Sequence, residues 1–111
     1  MVGCGNSLLS EKLFKGLKLE KDTLLSIDFE DKVIKHMQNR GIEGIKYEKM
    51  DALNMTGLED SSQNFVLDKG TLDALCADRS PETASKVIQY FNEIVRVLKS
   101  SGGVYICISL L

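Results

Sequence analysis

Short apolar, strand-like segments alternate with amphipathic helical ones along this 111-residue chain, and three of the strands run straight into an aspartate. Residues 24–27 lead to Asp28, residues 45–50 to Asp51 and residues 65–67 to Asp68. Parallel strands need long crossovers, which helices supply, so alternation of this kind points to a parallel sheet with helices packed on it. In open sheets of that type ligands sit beyond the carboxyl ends of the strands. The aspartates fall at those ends.

The helical segments carry their own punctuation. Ser7 is placed to cap a helix with Leu8, Leu9, Leu13, Phe14 and Leu17 on one face and Gly16 near its end. Residues 31–40 form a second helix, with Val33, Ile34 and Met37 inward and Gly41 as its stop. A short helix is expected over 71–77. After a break at 78–81, Pro81 suits the first turn of the longest helix, 82–99. There Ala84, Val87, Ile88, Phe91, Ile94, Val95 and Leu98 follow the helical period. Strand 45–50 alternates apolar and polar residues and reads as lying near a sheet edge, whereas 65–67 reads as central. Ser101-Gly102-Gly103 turns the chain into a final strand, 104–108, expected to be buried. Without repeats or a linker, the chain is one domain. The glycine turn at 3–5 calls for a strand before it, and the last strand has its far neighbours unwritten, so the domain reads as truncated at both ends.

Composition excludes several classes. The net charge of −2 gives no basic surface for nucleic acid. No apolar run approaches the ~20 residues of a membrane span, and no secretory leader is visible. Three cysteines without a CxxC motif read as reduced thiols of a cytoplasmic protein. The single His36, on a helix with no ligand partner one turn on, argues against a metal site.

Four positions carry the chemistry. Gly3-Cys4-Gly5, followed by Asn6-Ser7, is a turn that lets backbone approach a ligand at a helix N-terminus. Asp28 follows at roughly the 20-residue spacing at which an acid takes up ribose hydroxyls. The plainer alternative is that Asp28, with Asp31, caps the second helix. Asp51 can accept from an exocyclic amine while the Ala52 backbone meets a ring nitrogen, or it is a solvated loop residue. In Asp68-Lys69-Gly70-Thr71, Asp68 can orient an amine, Thr71 can cap a helix, and Lys69 is either cofactor wall or surface.

Taken in order, Val2-Gly3-Cys4-Gly5-Asn6-Ser7, Ser26-Ile27-Asp28, Lys49-Met50-Asp51-Ala52, the run from Val66 to Ala74, and Ile106-Cys107-Ile108-Ser109-Leu110 resemble the class I, seven-β-strand S-adenosylmethionine-dependent methyltransferases. The closest likeness is to the branch that methylates lysines, and in some cases the N-terminus, of translation elongation factor 1-alpha. Asp68-Lys69-Gly70-Thr71-Leu72-Asp73-Ala74 is the most specific element. The resemblance implies an α/β fold, a Rossmann-like doubly wound and mostly parallel sheet, with strand order 3-2-1-4-5 and an antiparallel 7-6 pair beyond. It implies S-adenosyl-L-methionine as cofactor. Gly3, Cys4, Gly5 and Asn6 would form the turn beside its methionine and ribose, Asp28 would hold the ribose, and Phe29 would lie beside the adenine. Asp51 and Ala52 would meet the adenine edge, and Asp68 and Lys69 would border the methyl-transfer site. Asp68 or Asp73 would assist proton loss from an acceptor lysine on a protein substrate such as elongation factor 1-alpha. The sequence departs from the family where an acidic residue usually precedes the glycine turn, since Met1 stands there. Two other readings remain open. A dinucleotide-binding oxidoreductase shares the turn and Asp28, but lacks a third glycine here and has no use for Asp68-Lys69-Gly70-Thr71. A non-catalytic partner-binding module would exploit exposed sheet edges.

Overall fold

The computed structural model describes residues 1–110. Strand β1 (Leu24–Asp28) pairs in parallel with β2 (Ile45–Lys49), and β3 (Phe65–Lys69) with β4 (Val104–Ile108). Val2 joins the two pairs through parallel bridges to Ile27 on one side and Asp68 on the other. Around it the Ile27 amide donates to the Met1 carbonyl at 2.9 Å, and the Cys4 amide to the Ile27 carbonyl at 2.9 Å. The Val2 amide donates to the Leu67 carbonyl at 3.0 Å. The spatial order is therefore β2, β1, Val2, β3, β4, all parallel. This is the 3-2-1-4-5 order the resemblance implies, with Val2 in the place of the first strand. β2, with β1 as its one partner strand, lies at an edge as its alternating pattern requires.

Crossover helices pack against parts of both faces of the sheet. Helix α2 (Asp31–Asn39) returns the chain from β1 to β2, and α3 (Thr71–Ala77) with α4 (Thr83–Val97) from β3 to β4. Two cores result. Cys4, Ile34, Met37, Ile45 and Tyr47 pack on the α2 face. Val2, Ile27, Met55, Val66, Tyr90, Ile94 and Val97 form the core beneath α4. Strand alternation sorts β1 between them, Leu24 packing against the first and Leu25 and Ile27 joining the second. Arg96 of α4 fastens the connection ahead of β3 by donating to the carbonyls of Met55 at 2.7 Å and Leu58 at 2.8 Å. It also pairs with Asp60 and Glu93.

Four expectations are corrected. In α1 (Leu9–Gly16) the buried residues are Ser10 and Glu11, whereas Leu8 and Leu17 are exposed. Polar partners make that burial tolerable: the hydroxyls of Ser10 and Ser26 lie 2.7 Å apart, and Glu11 accepts from Arg40 at 2.6 and 3.0 Å. The N-cap position falls on Leu8 rather than Ser7 and carries no side-chain cap; the Ser7 hydroxyl, one residue ahead of it, accepts from the Leu9 amide at 3.2 Å. In α4 the buried stripe is Tyr90, Ile94 and Val97, while Ile88 and Val95 are exposed. Finally, β4 is an edge strand rather than a buried one. Val104, Ile106 and Ile108 lie on the face away from α4 and are exposed, as is Phe65 beside them on β3, because no described element covers that face.

Candidate functional site

The carboxyl ends of β1, β2 and β3 open onto one cavity of about 630 Å³. One side is built from Gly3, Asp28, Phe29 and the turn Asp51-Ala52-Leu53, and the other from Lys69-Gly70-Thr71, Ala74, Leu75, Asp78 and Lys86. The sequence places these residues at strand ends, where the backbone leaves the ladder and side chains turn toward a common opening.

Gly3 and Gly5 adopt φ of +59° and +51°, the left-handed region. A Cβ on Gly3 would overlap the Thr71 hydroxyl, which donates to the Val2 carbonyl at 2.9 Å. The glycine turn and the motif after β3 are thus fitted to one another across the cavity floor. Asp28 ties the same turn to β1. Its Oδ2 accepts the Gly5 amide at 2.9 Å and its Oδ1 the Glu30 amide at 2.9 Å. The residue therefore steadies the approach to α2 and also faces the cavity. A carboxylate has about four acceptor sites, so two remain for a ligand diol. Asp51 accepts the Leu53 amide at 2.8 Å, closing the turn that presents Ala52 and Leu53 to the cavity. Phe29 stands largely exposed at the rim.

Six of the ten expected cofactor positions do not differ in kind from this picture: Gly3, Asp28, Phe29, Asp51, Ala52 and Lys69 line the one cavity. The other four do not line it. Gly5 acts through its amide on Asp28. Cys4 is buried in the α2-side core, where burial, with the charge of Asp28, pushes its thiol up to about 11. Asn6 is exposed outside the lining. Asp68 is fully buried in β3, inside the strand rather than after it.

The two carboxylates expected to serve as bases are engaged elsewhere. Asp68 accepts from the Thr71 amide at 2.7 Å and the Leu72 amide at 3.1 Å, and so closes the N-terminus of α3. It also accepts from the hydroxyls of Tyr90 at 2.5 Å and Tyr105 at 2.9 Å. Burial, reinforced by hydrogen bonding to Asp68, holds both phenols far above the usual tyrosine range, so they are donors at any working pH. Asp73 lies off the lining and accepts from the Ser109 hydroxyl and, at 2.9 Å, the Leu110 amide, tying α3 to the end of β4. The Ser109 hydrogen bond is the main cause holding its carboxyl below the usual range.

Leu53, Gly70, Thr71, Ala74, Leu75, Asp78 and Lys86 complete the lining. Ala74 and Leu75 follow Thr71 by one helical turn, a spacing that could have found them. Nothing local marks Lys86, which reaches the rim from α4 and comes within 3.9 Å of Asp78. Among the described residues no cluster of three or more His, Cys, Asp or Glu is placed to hold a metal, and His36 is exposed on α2. No helix among them is long and apolar enough to cross a membrane.

A glycine turn keyed to a strand end, with acids at the ends of neighbouring parallel strands, lies where ligand sites of doubly wound sheets are found. A family model described as a methyltransferase domain matches residues 2–109, and the chain belongs to that family. It is 44% identical over 114 residues to the eEF1A lysine and N-terminal methyltransferase homolog of Drosophila pseudoobscura pseudoobscura, covering 100% of this chain and 16% of that protein. It is 38% identical over 112 residues to the eEF1A lysine and N-terminal methyltransferase of Homo sapiens, covering 99% of this chain and 16% of that protein. The EEF1A lysine methyltransferase 4 of Bos taurus is 36% identical over 110 residues, 92% of this chain and 42% of that protein. The chain thus spans well under half the length of these relatives. The crystal structure of the PH0226 protein from Pyrococcus horikoshii OT3 shares the fold, with a TM-score of 0.71 at 21% identity, over 96% of this chain and 45% of that one.

Proposed function

We propose that residues 1–111 are the S-adenosyl-L-methionine-binding core of a cytoplasmic class I methyltransferase. Its acceptor is a protein amine, a lysine on an elongation factor 1-alpha-like substrate. The observation that carries this reading is the single cavity at the ends of β1, β2 and β3, bordered by Gly3, Asp28, Phe29 and Asp51 on one side and Lys69-Gly70-Thr71 on the other. Its volume of about 630 Å³ suits a ligand of nucleoside size. The donor chemistry fits as well. Asp28 has acceptor sites left for two ribose hydroxyls, and the Asp51-Ala52 turn presents a carboxylate and backbone to an adenine edge.

When bound, S-adenosylmethionine supplies a methyl group already activated on a sulfonium. The chain's own residues bind, orient and exclude water. Leu53, Ala74 and Leu75 make part of the cavity wall apolar. An acceptor ammonium entering there loses solvation, which lowers its pKa and favours the nucleophilic amine. Asp68 and Asp73, both held by hydrogen bonds, support the wall and β4 instead of taking the proton.

Calorimetric titration with S-adenosylhomocysteine tests the reading. Binding that Asp28→Ala abolishes and NAD does not displace supports it. Preference for NAD transfers the site to hydride chemistry, and absence of any binding overturns the cofactor assignment.

A further inference from the structure

Asp68 is fully buried, and among the described residues it takes part in no ion pair. A buried carboxylate without a cation needs its acceptor sites filled. They are filled from two directions. The Thr71 and Leu72 amides reach it from the start of α3, and the Tyr90 and Tyr105 hydroxyls from α4 and β4. The amide side belongs to the cavity wall, because Thr71 lines the cavity and also bonds the Val2 carbonyl beneath the glycine turn. Neither tyrosine lines the cavity.

We propose that Tyr90 and Tyr105 are positioning residues of the ligand site: acting through Asp68, they fix the Lys69-Gly70-Thr71 wall and, through Thr71, the glycine turn. The inference rests on the cofactor reading above for its ligand, and on geometry alone for the clamp. Each hydroxyl withholds Asp68 from other orientations. Without them the carboxylate is held by the two amides alone, and the first turn of α3 has a less firmly fixed acceptor. Tyr105 is itself steadied by Phe91, whose ring meets it edge-on at 5.8 Å.

The test compares the unmodified chain with Tyr90→Phe, Tyr105→Phe, the double variant and Ile94→Val. Ile94→Val loosens the same core and leaves every hydrogen bond to Asp68 in place. The readouts are hydrogen exchange of the Thr71 and Leu72 amides relative to those of β1, and S-adenosylhomocysteine affinity. Each tyrosine substitution is expected to speed exchange at Thr71 and Leu72, selectively, on the order of tenfold and to weaken binding by about as much. The double variant loses less than the product, since both act through one carboxylate. Ile94→Val lowers the melting temperature and leaves both readouts in place. Exchange that rises uniformly over the chain, or an affinity loss that Ile94→Val reproduces at equal stability, overturns the proposal. If Tyr90→Phe does not fold, Tyr105→Phe carries the comparison. If the unmodified chain binds no S-adenosylhomocysteine, the cofactor reading falls and selective exchange at Thr71 and Leu72 alone decides the clamp.

Discussion

Replacing Gly3 with alanine places a Cβ where the Thr71 hydroxyl stands, at a residue whose φ is +59°. Two penalties combine. A left-handed conformation costs a residue with a side chain about 1–2 kcal/mol. Displacing Thr71 Oγ1 breaks its 2.9 Å hydrogen bond to the Val2 carbonyl, which contributes about 1 kcal/mol, and crowds a packed turn for about 1 kcal/mol more. The expected loss is about 3–4 kcal/mol, a large share of a small domain's stability. Thr71→Ala alone should lose about 1 kcal/mol. In that background the overlap with the hydroxyl is gone, and the Cβ that remains, 3.1 Å from the added atom, has to give by only a few tenths of an ångström. Gly3→Ala should then cost only the backbone term. Urea unfolding of the four chains gives the coupling directly, expected at about 2 kcal/mol with m-values unchanged. Additive losses would refute the claim that the turn and the Thr71 hydroxyl are fitted to one another.

Other expectations follow from individual contacts. The Arg40 guanidinium holds the Glu11 carboxyl below its ordinary 4.5, so the stability this pair gives is complete above that value and is lost as pH falls through the lowered folded-state one. Glu11→Gln should flatten the urea midpoint against pH in that acid window, while leaving its slope near neutrality unchanged. Thiol labelling at pH 8 followed by mass spectrometry should find the exposed Cys107 modified rapidly, and buried Cys4 only on unfolding. Arg96→Ala releases the carbonyls of Met55 and Leu58, so limited proteolysis should cut within 55–64 before any site in the strands.

How far these features were legible depends on the range of the interaction. Strand β1, helix α2 and the turn at Gly41 could be read because a short apolar run, a helical stripe and a stop residue are local signals. So could the common opening of Gly3, Asp28, Asp51 and Lys69, since strand ends of a parallel sheet share one side. The inward face of α1 could not. Leu8 and Leu17 look like core until Arg40 supplies a partner for Glu11 from 29 residues away. Tyr90 falls on the buried stripe of α4, but the partner its hydroxyl needs there is Asp68, 22 residues earlier. That hydrogen bond occupies the Asp68 carboxylate from the side away from the cavity, which no spacing could reveal. β4 is apolar enough for a core strand, but exposure is decided by what packs on it rather than by its own composition.

The sheet has a seam. β1 and β2 make one laddered pair and β3 and β4 another, and among the described residues the backbone around Val2 stitches the two ladders along the middle. The cavity straddles that seam, with Asp28 and Asp51 on one bank and Lys69 to Thr71 on the other. A ligand seated there is a keystone. Parting the halves and releasing the ligand become a single event, so occupancy adds to the Val2 backbone bonds and the shared core that already join them. At a hundredfold excess over Kd that coupling is worth about 2.7 kcal/mol. It should register as slower amide exchange at Val2 and Cys4, whose amides bond across the seam on either side of Gly3.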